Sequence, residues 1–311
     1  ARRARVAAAC RRPPRAKAME AAEPAGPLLC LRGASHEQAL RELDPARAAA
    51  FRGVDLSLIG CEIDAPLADR LFEVLGALPS GACLRLAHTD LGSGTDCEQR
   101  VFDLAAERAG REAEKAMHEK KKRDSANQKD FAVSARMRRD ATDGISAAEA
   151  RLAAIGAELA GLEPCRTSAP WFLVFSRLEA PGRNSVRRLD LANCGLHATG
   201  LKLLVHAVME VEQRADGEKI TEIVLDGNDL GDRSTAAIAG LMKLTSAVQG
   251  LQLRNVGITD AGVSQVLSGL VANKSLRLLD LRDNGLASAE VCRAALGGVR
   301  RFNGAAEVLL D

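Results

Sequence analysis

The sequence predicts an α/β solenoid: a row of parallel strands backed by helices and interrupted once by a helical insertion. Three observations predict it. The segment VRRLDLANCGL at 186–196 recurs as ITEIVLDGNDL at 220–230, VQGLQLRNVGI at 248–258 and LRLLDLRDNGL at 276–286. The copies are regularly spaced, with 34 residues from Leu189 to Ile223 and 28 each from Ile223 to Leu251 and from Leu251 to Leu279. Between copies, apolar residues recur three and four apart, the period of a helix rather than a strand. A single unit of strand, turn and helix cannot enclose its own apolar face, so neighbouring units must stack.

The copies spell L-x-x-L-x-L-x-x-N/C-x-L, and with the 28-residue step they resemble leucine-rich repeats of the ribonuclease-inhibitor-like class. The resemblance covers roughly residues 28–91 and 170–311, and it implies a horseshoe with the strands on its concave side and the helices outside. Weaker copies extend the register. GVDLSLIGCEI places Leu56, Leu58, Cys61 and Ile63 at the diagnostic positions, and GACLRLAHTDL places Leu84, Leu86, Thr89 and Leu91 there, 28 residues further on. Leu29 and Leu31 suggest a strand before them, and Val308 and Leu310 a strand after the last clear copy, giving about eight strands. Asn228 and Asn284, with Cys194 and Cys61 at the same position, are expected to bond backbone groups that the turns leave unpaired. Val256, Thr89 and Ala34 interrupt that ladder and predict looser turns.

The helices follow in order. Ile238, Leu241 and Met242 recur at helical spacing after Asp232 and Ser234, residues able to cap a helix start. Val263, Val266, Leu267 and Leu270 do the same after Thr259 and Asp260. From Leu84 to Leu189 is 105 residues, 77 more than one 28-residue step, and no L-x-L strand occurs in the surplus. The stretch begins as a repeat helix at TDCEQRVFDLAAERA and continues as charged helix. After a polar break at 125–130 and a turn near Asp143-Gly144, Ile145, Ala148, Leu152, Ile155, Leu159 and Leu162 form a short heptad seam. Trp171, Phe172, Val174, Phe175 and Leu178 then mark the return to a repeat helix. The domains expected are a disordered basic segment at 1–27, N-terminal repeats at 28–93, a charged helical insertion with the character of a coiled-coil hairpin at 94–168, and C-terminal repeats at 169–311.

Net charge is +2, so the chain as a whole has no strong preference for nucleic acid or an anionic membrane. No apolar run reaches the length of a membrane-spanning helix. Eight cysteines show no paired spacing and no C-x-x-C motif, which points to a reducing, cytoplasmic setting. Lys120, Lys121, Lys122 and Arg123 and the basic stretch 2–17 leave a nuclear or organellar address open. For the first nineteen residues, seven of them basic and none acidic, three readings stand: a transit peptide, a disordered arm, or a stretch preceding a start at Met19.

No phosphate loop, nucleophile elbow or zinc-protease motif occurs, and the five histidines have no metal spacing. The chain is therefore expected to be no enzyme and to need no cofactor or metal. Function is expected on the strand face. The residue between the two strand leucines is Ser57, Arg85, Asp190, Val224, Gln252 and Asp280 in successive copies; two positions later stand Ile59, Ala87, Ala192, Asp226, Arg254 and Arg282. Together with Arg188 these give a candidate protein-binding set of Arg188, Asp190, Asp226, Gln252, Arg254, Asp280 and Arg282. The function expected is a non-catalytic protein-interaction scaffold. The alternative, implied by the family resemblance, is an enzyme regulator of the ribonuclease-inhibitor or Ran GTPase-activating type.

Overall fold

The computed structural model describes residues 27–58, 63–79, 81–92, 95–127, 130–180, 185–215, 218–286, 297 and 306–310. Strands β1 (Leu28–Cys30), β2 (Gly53–Asp55), β3 (Ala82–Arg85), β4 (Val186–Asp190), β5 (Glu222–Val224), β6 (Gly250–Gln252), β7 (Leu278–Asp280) and β8 (Glu307–Leu309) form one parallel sheet in chain order. Leu29, Val54, Leu84, Leu189, Ile223, Leu251, Leu279 and Val308 align across it as one row. Parallel neighbours need a crossover, and helices supply it. The helices are α1 (His36–Glu42), α2 (Ala65–Ala77), α3 (Thr95–Asp124), α4 (Phe131–Ser168), α5 (Pro170–Leu178), α6 (Ala198–Gln213), α7 (Thr235–Leu244) and α8 (Asp260–Ala272). Of these, α1, α2, α5, α6, α7 and α8 pack each against the next as one layer, and their apolar faces join the inward leucines in one core.

The β2 register differs from the one the sequence suggests. Val54, not Leu56, pairs with Leu84, so the strand frame lies two residues earlier and the step to β3 is 30 residues, not 28. Asp55 and Ser57 therefore take the face positions expected for Ser57 and Ile59. Val54, Leu56 and Leu58 are all fully buried. A slip of two residues preserves the inside-outside alternation of a strand, so the pattern alone cannot detect it. Ile59 and Cys61 lie outside the described residues, as do Cys10 and Cys292 and nearly all of the basic segment 1–27.

The turns after the strands share one device. The residue before the ladder position has positive φ at Gly33, His88, Asn193, Gly227, Asn255 and Asp283, between 50° and 70°. Gly, Asn, Asp and His are the residue types that tolerate this region best, which explains their recurrence there. Next to them Asn228 is buried, accepts the Cys194 and Leu196 N–H groups at 3.0 Å each, and donates to the Leu191 and Leu225 carbonyls. Asn284 does the same for Val256, Ile258, Leu253 and Leu281. Thr89 keeps the ladder rather than loosening it, because its hydroxyl accepts from Leu58 N–H and donates to Leu56 O. Cys194 donates its thiol to Leu86 O at 3.0 Å, and burial pushes that thiol up to about 12, so it stays protonated.

Two further expectations change. The Ser234 and Thr259 side chains cap no helix: the Ser234 hydroxyl turns back to Leu230 O, and Asp232 reaches the next repeat, accepting from Thr259 N–H and Oγ1 at 2.9 and 2.6 Å. Instead of turning at Asp143-Gly144, α4 runs on through both residues. A Cβ on Gly144 would lie 2.4 Å from the His118 ring, so glycine here makes room for a neighbouring helix.

That neighbour is α3. It runs antiparallel to α4, as the cross-pairs Glu98–Arg166, Arg100–Glu158, Glu107–Arg151 and Lys115–Glu149 show. Between them lies a narrow seam of Leu104, Ala141, Ala148 and Ile155, all buried. The foot of the pair rests on the helix layer, with Gln99 on Thr199 at 2.6 Å and Arg166 over the Phe172 ring.

Candidate binding face

Pleating turns every second strand residue away from the core, so the sheet presents in-register rows on the side opposite the helices. The first row reads Asp55, Arg85, Asp190, Val224, Gln252 and Asp280 from β2 to β7. Opposite charges directly across strands attract, and here they pair. Arg85 Nε donates to Asp190 Oδ2 at 2.8 Å while its Nη1 lies 3.4 Å from Asp55 Oδ2. Asp55 also accepts from Arg32 at 2.8 Å and from the Ser57 hydroxyl at 2.9 Å. Two positions before this row, Arg188 reaches Glu222 at 2.6 Å.

The second row carries Asp226, Arg254 and Arg282. Arg254 binds Asp283 at 2.6 Å, and Arg282 folds back on Asp280 at 2.5 Å. Asp226 accepts the Arg254 backbone N–H at 2.8 Å and meets no cationic side chain within ion-pair distance among the described residues. Burial raises the Asp226 carboxyl above its ordinary value, and the charges of Asp280 and Asp190 push the same way, against the Arg254 N–H and guanidinium. A shallow depression in the face is lined by Arg85, Arg188, Asp190, Asp226, Gln252 and their neighbours, among them Arg32, Ser57 and His88.

Of the seven residues expected to bind, Arg188, Asp190, Asp226 and Gln252 thus meet at one depression, while Arg254, Asp280 and Arg282 lie beyond it and are occupied with one another or with Asp283. Asp55 and Arg32 were not expected. Asp55 was legible, because V-D-L fits the strand frame as well as L-S-L, with a charged residue between the apolar ones. Arg32 needed the spatial pairing.

The ion pairs differ in what they contribute. Asp55 and Asp190 side chains are 2% and 10% exposed around a 27% exposed Arg85, whereas Arg254 and Asp283 are 43% and 54% exposed. Removing one partner of a buried pair leaves an uncompensated charge, while exposed pairs contribute little. Arg85→Met is expected to cost about 2–4 kcal/mol and Arg254→Met about 0.5 kcal/mol or less in thermal or denaturant unfolding. Equal losses would contradict the geometry.

A raised carboxyl also gives a signed pH dependence. The fold favours neutral Asp226, so its ionisation penalises the folded state in full above the raised pKa, and the penalty fades as pH falls from there to the ordinary carboxyl range, below which it is gone. Asp226→Asn should therefore raise Tm near pH 7, with the gain shrinking as pH falls through the Asp226 titration. A gain that grew with acidity would reverse the sign.

No family model matches the chain. Curated relatives do. Over 106 residues it is 36% identical to the ribonuclease inhibitor of Mus musculus, across 33% of this chain and 21% of that protein. Over 106 residues it is 30% identical to leucine-rich repeat-containing protein 45 of Gallus gallus, across 33% and 15%. Over 111 residues it is 33% identical to NACHT, LRR and PYD domains-containing protein 14 of Mus musculus, across 35% and 10%. Over about a third of its length the chain is thus similar to leucine-rich repeat proteins, the ribonuclease inhibitor among them. The chain spans about a fifth or less of the length of these relatives. Among its described residues no group of three or more His, Cys, Asp or Glu side chains could hold a metal ion, and no helix is long and apolar enough to cross a membrane.

Proposed function

We propose that this chain is a non-catalytic scaffold that takes a protein partner on the concave strand face of a horseshoe, through Arg188, Asp190, Asp226, Gln252, Arg254, Asp280 and Arg282. The observation that carries the reading is the contrast within that face. Arg85, Arg188, Arg254 and Arg282 already have carboxylate partners, while the half-buried Asp226, with Asp190 and Asp280 for neighbours, has only a backbone N–H among the described residues. A basic side chain on the partner would relieve that repulsion and stabilise the ionised Asp226, and the Gln252 amide beside it would orient the contact. In this reading residues 94–168 form a separate insertion and the setting is reducing, in keeping with Cys30, Cys97, Cys165 and Cys194, which form no disulfide among the described residues.

The test is affinity purification with mass spectrometry, comparing the parent chain with Asp226→Lys and with a double Asp226→Lys, Gln252→Ala variant. Loss of one specific protein from both variants is expected. Recovery of the same proteins by all three would overturn the assignment of the face.

A second reading, regulation of an enzyme, is favoured by the 36% identity to a ribonuclease inhibitor. It predicts that the purified chain lowers ribonuclease activity, or alters GTP hydrolysis by a small GTPase. No change with any enzyme of either panel removes it.

A further inference from the structure

The α3–α4 hairpin changes character along its length. In the stem Arg100, Arg108, Arg111, Lys115, Arg151 and Arg166 each hold a carboxylate. Toward the far end Lys120, Lys121, Lys122 and Arg123 are all exposed, and among the described residues their side chains meet no carboxylate or hydrogen-bond partner; the Arg139 side chain is in the same condition on α4. Of the nearby acids, Asp130 caps α4 through the Ala132 and Val133 N–H groups, and Asp140 faces Arg136. Arg138 is drawn to the Ser125 hydroxyl at 3.3 Å, which closes the two helices together at this end.

The same end exposes apolar side chains. Phe131 is 87% exposed at the first turn of α4, Val133 is 42% exposed beside it, and Met117 is 47% exposed further down α3. Four unpaired cations alone would be a solvated helix face. A large aromatic ring left in water at the same tip costs free energy unless something apolar covers it.

We propose that the tip of the hairpin docks on an anionic lipid bilayer, with Lys120, Lys121, Lys122, Arg123 and Arg139 against lipid phosphates and Phe131 and Val133 in the headgroup–acyl boundary. Charge complementarity identifies the anion, and the aliphatic Val133 and Met117 favour a bilayer over single-stranded nucleic acid, which would use aromatic stacking and gain nothing from them. The net charge of +2 conceals this because an excess of acidic residues in the stem and the repeats offsets the cations of the tip and of the basic stretch at 2–17. With α3 about 45 Å long at 1.5 Å per residue, the tip stands well away from its foot on α5 and α6, so membrane and strand-face partner are held at once. The proposal does not depend on the identity of that partner.

The test uses the full chain and two kinds of vesicle, phosphatidylcholine alone and phosphatidylcholine with about 30% phosphatidylserine. Flotation with the anionic vesicles only, weakening as salt rises, is expected. Replacing Lys120, Lys121, Lys122 and Arg123 together by Gln should weaken it roughly tenfold or more, since each cation near an anionic surface contributes about 1 kcal/mol. Binding retained in that variant would assign the lipid contact elsewhere, to the basic stretch at 2–17 for instance, and overturn the proposal. A Phe131→Trp variant supplies an independent readout: its emission should shift to the blue on anionic vesicles, over a constant background from the buried Trp171. An unshifted emission refutes insertion, and retention of RNA on the same cations without vesicle binding refutes the choice of ligand.

Discussion

Asn228→Ala is expected to lower the stability of the central repeats by about 3 kcal/mol or more. The side chain is 1% exposed and makes four hydrogen bonds to backbone groups of its own turn and the preceding one. Truncation leaves the Cys194 and Leu196 N–H groups and the Leu191 and Leu225 carbonyls without those partners, each at a cost of about 1–3 kcal/mol where water cannot reach it. Because stability in a stacked array is a sum of neighbouring terms, the loss should be local, with the amides of Cys194 and Leu196 losing hydrogen-exchange protection well before those of the β6–β7 pair. Asn228→Asp keeps the acceptor and loses the donors, so it should fall between parent and Ala. A fall in Tm of less than about 2 °C for Asn228→Ala would contradict the ladder, since 1 kcal/mol alone shifts a chain of this size by about that much.

Gly53→Ala is the second large effect. A Cβ there would lie 2.1 Å from the Cys83 carbonyl oxygen and 2.9 Å from its carbon, both atoms of the neighbouring strand's backbone. Backbone cannot swing aside as a side-chain tip can, so β2 must separate from β3. That movement strains the Leu56 N–H to Arg85 O bond at 2.8 Å and the Cys83 N–H to Arg52 O bond at 3.1 Å, and it pulls Asp55 from Arg85. A cost of about 3 kcal/mol or more follows from losing those bonds with their groups buried. It is read as lost exchange protection at Leu56 and Cys83 and a lower unfolding midpoint. If Gly53→Ala unfolds like the parent, the close approach of the strands is wrong.

Much of this fold was legible because its rules are local. Period and spacing gave β4 to β7 and the core leucines, since a residue's side of a strand depends only on its neighbours two positions away. The same locality explains the error at β2, where Val54-Asp55-Leu56 and Leu56-Ser57-Leu58 alternate identically. It also explains α4. Glycine reads as a turn until the His118 ring beside Gly144 shows what the missing side chain makes room for.

By itself the sequence determined the repeat, its strand order and the chemical types available on the open face. The tertiary structure alone decided which of those side chains are already occupied: Arg85 with Asp190 across 105 residues, Arg254 with Asp283, and Asp226 left with a backbone N–H. Burial of leucine is a property of the period, whereas the state of a charge depends on what stacking brings within about 3 Å of it.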